Sequence, residues 1–260
     1  MKIRMFQIDA FTDRLFHGNP AAVCPLVKWL PAELMQQIAM ENNLAETAFY
    51  VKGENRFHIR WFTPAVEVDL CGHATLAAAY VIFNFDFHPD RLIEFDSRSG
   101  LLTVTRNADL LTLNFPADAP EQVSASDDLI AAIGLPPAEC YKGKSDYMLV
   151  YSTPEEIEKL RPDMWLIAGV PARGIIVTAP GRDVDFVSRF FAPQSGVPED
   201  PVTGSAHTTL TPYWAARLGK KELTAQQLSK RRGWLKCRLA GERVEISGNA
   251  RAYMVGEIEV

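Results

Sequence analysis

The sequence has few cysteines, no long apolar segment and no concentration of charge of one sign. Its four cysteines are widely spaced and form no Cys-x-x-Cys pair: Cys24, Cys71, Cys140 and Cys237. This spacing excludes a zinc ribbon or a disulfide framework and predicts reduced thiols in the cytoplasm. No segment approaches the roughly 18 apolar residues of a membrane span, and charges interrupt the N-terminal residues 1–9, so no signal peptide is predicted. With a net charge of −5 and no basic stripe, we expect neither nucleic acid nor a membrane as a partner.

What the sequence does contain is an internal repeat. Residues 61–64 (Trp-Phe-Thr-Pro) resemble residues 190–193 (Phe-Phe-Ala-Pro), and each motif is followed by an acidic segment and a Gly-x-Ala helix start. Further matches follow in the same order: residues 31–34 with 154–157, 48–51 with 174–177, 100–104 with 233–237, and 111–113 with 244–246. Several matches in one order predict a duplicated chain. We place the first unit at residues 1–116, joined by a C-terminal strand at 251–260, and the second unit at 122–250.

Each unit shows the same succession of periodic patterns. The patterns predict a strand, a helix opened by proline, a second strand, a second helix and two alternating strands. The predicted segments are strands 3–11 and 147–152, helices 31–40 and 154–160, strands 47–51 and 174–178, and tight turns at 107–109 and 240–242. Helix 73–83 is apolar all round yet half the length of a membrane span, so we expect a sheet to wrap around it. Its counterpart carries Pro212, which predicts a kink.

The two Gly-x-Ala helix starts indicate where a ligand binds. Free N–H groups and the partial positive charge at a helix N-terminus bind carboxylates. If the units face each other, both helix starts point into one shared cleft, which predicts a small carboxylic acid as substrate. The predicted substrate-binding residues are Gly72, Ala74, Gly204 and Ala206, together with Gly18 and Asn19 from a loop at 17–22. The alternative for that loop is a plain tight turn.

Four further residues are candidates for the chemistry. His73 and Ser205 follow the two helix-start glycines and occupy equivalent places. Glu46 precedes an apolar strand, and the matching residues 172–174 contain no acid, as a directional proton transfer requires; the alternative is a surface glutamate. Asp200 can pair with His73 across the cleft and keep its imidazolium ready as an acid, or it is only a turn carboxylate.

Other chemistries receive less support from the sequence. The position equivalent to Cys71 is Thr203, so a racemase with two thiols is not predicted and Cys71 is interpreted as a packed residue. There is no His-x-His or His-Glu-x-x-His, and we expect no metal. A hydrolase using Ser205, His73 and Asp200 lacks the Gly-x-Ser-x-Gly motif. A third alternative for the function is a non-catalytic protein that binds a metabolite. Whether His207 contacts the ligand also stays open.

The motifs together resemble the phenazine-biosynthesis (PhzF-like) isomerase family. The resemblance rests on residues 17–21, 43–47, 62–64, 71–75 and 199–206. It implies an α+β fold of the diaminopimelate-epimerase type, in which two halves each wrap a curved, mostly antiparallel sheet around a central helix. It also implies a homodimer that needs no cofactor or metal. By the same resemblance Glu46 moves a proton between carbons, with His73, Asp200 and Ser205 in support. The substrate and product are left open.

Overall fold

A computed structural model describes all 260 residues of the chain. The chain divides into two compact units. Unit 1 comprises Met1–Asn114 and Ser247–Val260, and unit 2 comprises Phe115–Ile246. None of the helices combines the length and apolar character needed to cross a bilayer.

The elements that begin in unit 1 include the predicted ones in the predicted order. The elements are β1 (Lys2–Ala10), β2 (Asn19–Leu26), α1 (Ala32–Asn42), β3 (Glu46–Lys52), β4 (Phe57–Phe62), β5 (Glu67–Val68), α2 (Gly72–Asn84), β6 (Leu92–Ser97), β7 (Gly100–Asn107) and β8 (Leu110–Pro116). Four of these strands are not predicted from the sequence: β2, β4, β5 and β6.

The elements that begin in unit 2 repeat this succession with two extra short helices. They are β9 (Glu121–Val123), α3 (Asp127–Ile133), β10 (Glu139–Lys142), β11 (Asp146–Val150), α4 (Pro154–Lys159), α5 (Met164–Ala168), β12 (Gly174–Pro180), β13 (Phe186–Phe191), α6 (Gly204–Leu218), β14 (Glu222–Gln227), β15 (Gly233–Ala240) and β16 (Arg243–Gly248). A 3-10 turn at Pro193–Ser195 precedes α6, and β17 (Ala250–Glu259) belongs to unit 1.

The strand order is the same in the two units. In unit 1 it is β17-β1-β2-β3-β4-β6-β7-β8, with β2–β3 and β4–β6 parallel and the other pairs antiparallel. In unit 2 it is β9-β10-β11-β12-β13-β14-β15-β16, with β11–β12 and β13–β14 parallel. The shared order and the shared pair of parallel contacts confirm the duplicated, mostly antiparallel α+β fold that the sequence predicts.

The central helix of unit 1 is as enclosed as its composition indicates. Every residue of α2 is buried except Tyr80 and Asn84, and the helix packs on β1, β2 and β3. Because three of its side chains in succession are alanines, at positions 77–79, the strands can approach closely. The helix therefore has no solvent-facing stripe and begins in the interior of the unit.

The central helix of unit 2 continues through its proline. Pro212 has no N–H for the carbonyl of Thr208, four residues earlier, which would leave a helix carbonyl unpaired. The backbone N–H of Asp118, from the segment between β8 and β9, donates to that carbonyl at 3.1 Å. This bond replaces the missing one, and α6 runs without a break from Gly204 to Leu218.

The predicted loop at residues 17–22 is wrong for most of its length. Asn19 is the first residue of β2, and Ala21 and Ala22 are fully buried within that strand. Gly18 provides the turn, with φ +65°, and a Cβ there would lie 2.1 Å from the carbonyl oxygen of Ala10. Small side chains that are buried on both faces of a strand show no alternation, so the sequence pattern resembled a loop.

Candidate active site

The site in unit 1 centres on a buried pair formed by Glu46 and His73. Glu46 is the first residue of β3, and His73 is the second residue of α2. His73 Nε2 and Glu46 Oε2 are 3.1 Å apart, with side chains only 4% and 15% exposed. Neither atom makes a well-aligned hydrogen bond, so the contact is an ion pair rather than a fixed donor–acceptor bond.

The other ring nitrogen of His73 faces Asn19 and Cys71. Asn19 Nδ2 lies 3.0 Å from Nδ1 of the ring, and Cys71 Sγ lies 3.5 Å from the same atom. An amide can donate to an unprotonated Nδ1 through its nitrogen or, after rotation, accept from Nδ1–H through its oxygen. Asn19, predicted as a substrate-binding residue, is placed where it orients the imidazole in either protonation state.

These neighbours set the charge of the pair. Burial opposes protonation of the imidazole, but the negative charge that Cys71 and Glu46 can place against the ring outweighs it and raises the pKa of His73 well above its ordinary value. Burial also raises the pKa of Cys71 to about 11, so near neutral pH the thiol keeps its proton. The carboxyl group of Glu46 thus faces an imidazole that favours its protonated form.

The same three side chains present atoms of the kind that bind metals. One ligand atom each from Glu46, Cys71 and His73 lies within 4.8 Å of the others. A metal would need a thiolate and an imidazole with a free lone pair. The pKa values of Cys71 and His73 are raised, so a metal that binds here would have to displace a proton from each of them.

In unit 2 the residue equivalent to His73 is Ser205, the second residue of α6. Its hydroxyl oxygen accepts a hydrogen bond from Arg173 Nη1 at 2.8 Å. Arg173 also forms a two-bond ion pair with Asp146, through Nε at 2.9 Å and through Nη2. The carboxylate of Asp146 is almost fully buried. Neither Arg173 nor Asp146 is predicted from the sequence, because their pairing depends on how β11 lies beside β12.

Asp200 belongs to a tight network at the start of α6. Its carboxylate accepts from the hydroxyl of Thr203, the residue that precedes the helix, at 2.6 Å. Gln227, fully buried on β14, accepts from the Thr203 N–H at 2.8 Å and donates to the Asp200 carbonyl at 2.7 Å. The pairing of Asp200 with His73 stays a prediction. Gln227 is a residue that the sequence analysis missed, because it follows Gln226 at the end of a strand and no sequence signal marks it.

The remaining predicted residues lie at the two helix starts. Gly72 and Ala74 are buried in the first turn of α2, and Gly204 and Ala206 are buried in the first turn of α6. His207, also in that turn, donates from Nδ1–H to the Thr203 carbonyl oxygen at 2.8 Å. Burial lowers the pKa of His207 to about 4, so this ring is neutral and differs in charge from His73.

Comparison with known proteins places the chain in a family. The family model described as phenazine biosynthesis-like protein matches residues 8–256. An uncharacterized isomerase of Pseudomonas aeruginosa is 51% identical over 260 residues, with 100% of both chains covered. The crystal structure of a PhzF-family protein of Enterococcus faecalis is 44% identical, with a TM-score of 0.97 and 100% of both chains covered.

A more distant structure shares the fold alone. A hydroxyproline epimerase of Agrobacterium vitis, crystallised with trans-4-hydroxy-L-proline, has a TM-score of 0.65 at 9% identity, covering 99% of this chain and 92% of that one. The epimerase-like fold predicted from the sequence is therefore confirmed. With a family model matched over nearly its full length and a named isomerase as a close relative, the chain belongs to the phenazine biosynthesis-like (PhzF) family and is an isomerase.

Proposed function

We propose that this isomerase moves a proton between two carbon atoms of a small carboxylic acid, with Glu46 as both base and acid and without a cofactor. The observation that carries the proposal is the buried contact of 3.1 Å between Glu46 and His73. A carboxylate that is poorly solvated and held beside an imidazole is a competent base.

The reaction needs no group beyond those of the chain and the substrate. Glu46 removes a proton from a carbon next to an activating group, and the electron pair left behind moves into the adjoining π system. The protonated Glu46 then delivers a proton to a different carbon, so charge and atoms balance, and exchange of the carboxyl proton with solvent before delivery introduces deuterium in D₂O. The His73 imidazolium stabilises the negative charge that develops. Oε2 of Glu46 is the oxygen that lies 3.1 Å from His73 Nε2, and we assign the transfer to the other oxygen, Oε1.

A single base favours a positional shift over inversion at one carbon. Inversion usually requires a second acid on the opposite face of the substrate. In unit 2 the strand register places Gly174 at the position of Glu46, because Gly174 pairs with Asp146 as Glu46 pairs with Ala21. Asp200 and Ser205 are proposed as supporting residues, with Ser205 and the α6 N-terminus binding the carboxylate.

The test is proton NMR in D₂O with a panel of cyclic and amino carboxylic acids. We expect deuterium to enter carbon, or a new isomer to form, with the wild type and not with Glu46→Gln. Glu41→Gln, which removes an exposed carboxylate of α1, is the matched control and should behave as the wild type. Exchange that survives in Glu46→Gln removes Glu46 as the base.

The two alternatives from the sequence predict different results. A hydrolase needs a base beside Ser205, but the hydroxyl accepts from Arg173, whose guanidinium does not give up its proton. We therefore expect a fluorophosphonate probe to leave Ser205 unlabelled. A binding protein without catalysis would bind ligand but show no exchange in the wild type. The homodimer also stays a prediction, which light scattering of the purified protein tests directly.

A further inference from the structure

The two units differ in charge at equivalent positions. If Phe62 and Phe191 of the repeated motif are matched, their strand partners Thr47 and Ile175 are equivalent, and so are Glu46 and Gly174. The sequence match of residues 48–51 with 174–177 is thus displaced by two positions. A Cβ at Gly174 would lie 2.4 Å from Phe190 Cζ, so unit 2 has no room for an acid where unit 1 has its base.

Unit 2 instead places a cation beside its central helix. Arg173 immediately precedes β12, and its guanidinium contacts Ser205, the second residue of α6. In unit 1 the first residue of β3 contacts His73, the second residue of α2. The second residue of the central helix is therefore contacted in both units from the beginning of a strand, by the carboxylate of the first β3 residue in unit 1 and by a guanidinium one residue before β12 in unit 2.

Arg173 is held rigidly but keeps hydrogen-bonding capacity. Asp146, 2% exposed, binds two of its N–H groups, and the ring of Phe190 lies 5.3 Å below the guanidinium. Ser205 takes a third N–H from Nη1. Of the five N–H groups of an arginine, one on each terminal nitrogen is left, on a side chain that is 39% exposed.

We propose that Arg173 binds the carboxylate of the substrate and so determines which substrates the enzyme accepts. This inference rests on the proposed function, because it assigns the binding of the substrate on which Glu46 acts. A planar guanidinium whose orientation is fixed by an ion pair suits a carboxylate better than a mobile lysine does. Asp146 competes with the substrate for the same positive charge. Arg173 therefore prefers an anionic ligand, but its affinity for that ligand is lowered by the ion pair.

Binding of benzoate and of its neutral analogue benzamide, measured by NMR titration, tests the assignment. Arg173→Gln leaves Asp146 buried and unpaired, which can prevent folding; the double variant Arg173→Gln with Asp146→Asn removes both charges. We expect this double variant to bind benzoate roughly tenfold more weakly than the wild type, with benzamide unchanged. Arg217→Gln, which removes another ion-paired arginine of unit 2, is the matched control and should bind as the wild type.

The single variant Asp146→Asn separates a binding role from a structural one. If Arg173 binds the ligand, removing the competing carboxylate should tighten benzoate binding by roughly threefold. If Arg173 only supports the fold, benzoate binding should be weaker than in the wild type both in Asp146→Asn and in the double variant. Unchanged benzoate binding in the double variant overturns the assignment, as does a wild type that binds benzoate no better than benzamide.

Failure of this inference is distinguishable from failure of the proposed function. Glu46→Gln should retain benzoate binding that depends on Arg173, whereas it should lose deuterium exchange. If the Glu46 variants keep their deuterium exchange, only the proton transfer by Glu46 is contradicted. If the double variant has the same deuterium exchange and the same KM as the wild type, only the role of Arg173 is contradicted.

Discussion

The buried amide of Gln227 holds the first residue before α6 by accepting from the N–H of Thr203 at 2.8 Å. The same amide donates to the carbonyl of Asp200 and to the hydroxyl of Thr203. One side chain therefore fixes both the end of the acidic segment and the start of the helix that carries Ser205.

Replacing Gln227 by methionine should be strongly destabilising. The variant keeps the length of the side chain but leaves the Thr203 N–H and the Asp200 carbonyl without their partner, at a cost of about 1–3 kcal/mol for each buried group. Urea denaturation measures the loss. Gln226→Met, at the neighbouring and less buried position, should change stability little; equal losses in both variants contradict the proposed role.

Stability should depend on pH through His73. The pKa of His73 is raised in the folded state, so its contribution is fully present below its unfolded pKa of about 6.5 and is lost as the pH rises through the higher folded value. Glu46→Gln removes the carboxylate that faces the ring. The Tm difference between wild type and Glu46→Gln should therefore shrink from about pH 6 to about pH 10. A difference that is constant over this range shows that the pair does not hold an imidazolium.

The cysteines should be unreactive in the folded protein. All four are buried, and desolvation raises the pKa of Cys24 and Cys237 to about 12 and that of Cys71 to about 11. Iodoacetamide near pH 8 should modify none of them until urea is added, as mass spectrometry can follow. Cys71→Ala should retain deuterium exchange within about threefold, because a protonated thiol is not a base. Rapid labelling of Cys71 with loss of exchange indicates thiol chemistry.

Gly174→Ala should destabilise unit 2. The new methyl group would overlap the ring of Phe190 and approach the carbonyl oxygen of Phe191 at 2.9 Å, and such overpacking costs about 1–3 kcal/mol. Gly256→Ala is the control, since nothing lies within 4 Å of a Cβ there. Adding Phe190→Leu to Gly174→Ala should recover part of the loss. A stable Gly174→Ala protein contradicts the steric argument for an acid in one unit only.

Chelation should leave the activity unchanged. A metal held by Glu46, Cys71 and His73 would require the thiol and the imidazolium to lose their protons, against the raised pKa of both groups. Deuterium exchange after dialysis against EDTA should equal that of untreated protein. Loss of exchange that zinc restores indicates a metal site.

Much of the fold could be predicted because local patterns decide it. The apolar composition of α2 requires enclosure, and the repeated Phe-Thr-Pro and Phe-Ala-Pro motifs mark equivalent strand ends in the two units. For the same reason the helix-start positions of His73 and Ser205 follow from the glycines before them. These inferences need only the spacing of residues along one element.

The contacts of the site could not be predicted in this way. Arg173 meets Asp146 because the parallel strands β11 and β12 bring distant segments into register, and Asn19 meets His73 because α2 packs on β2. A shift of two residues in a strand keeps every side chain on its face, so the sequence match could not show that Glu46 is equivalent to Gly174. Hydrophobic periodicity determines which side faces the core but not which residues are neighbours.

The position of β17 has a consequence for how the protein matures on the ribosome. β17 pairs with β1 along its whole length, from Lys2–Glu259 to Ala10–Ala250, so β1 waits for a strand that is translated much later. All of unit 2 has been synthesised before this partner is available. Because domains fold as units during synthesis, the half that is translated second is the first that can be completed, and the half that carries Glu46 and His73 is finished after it.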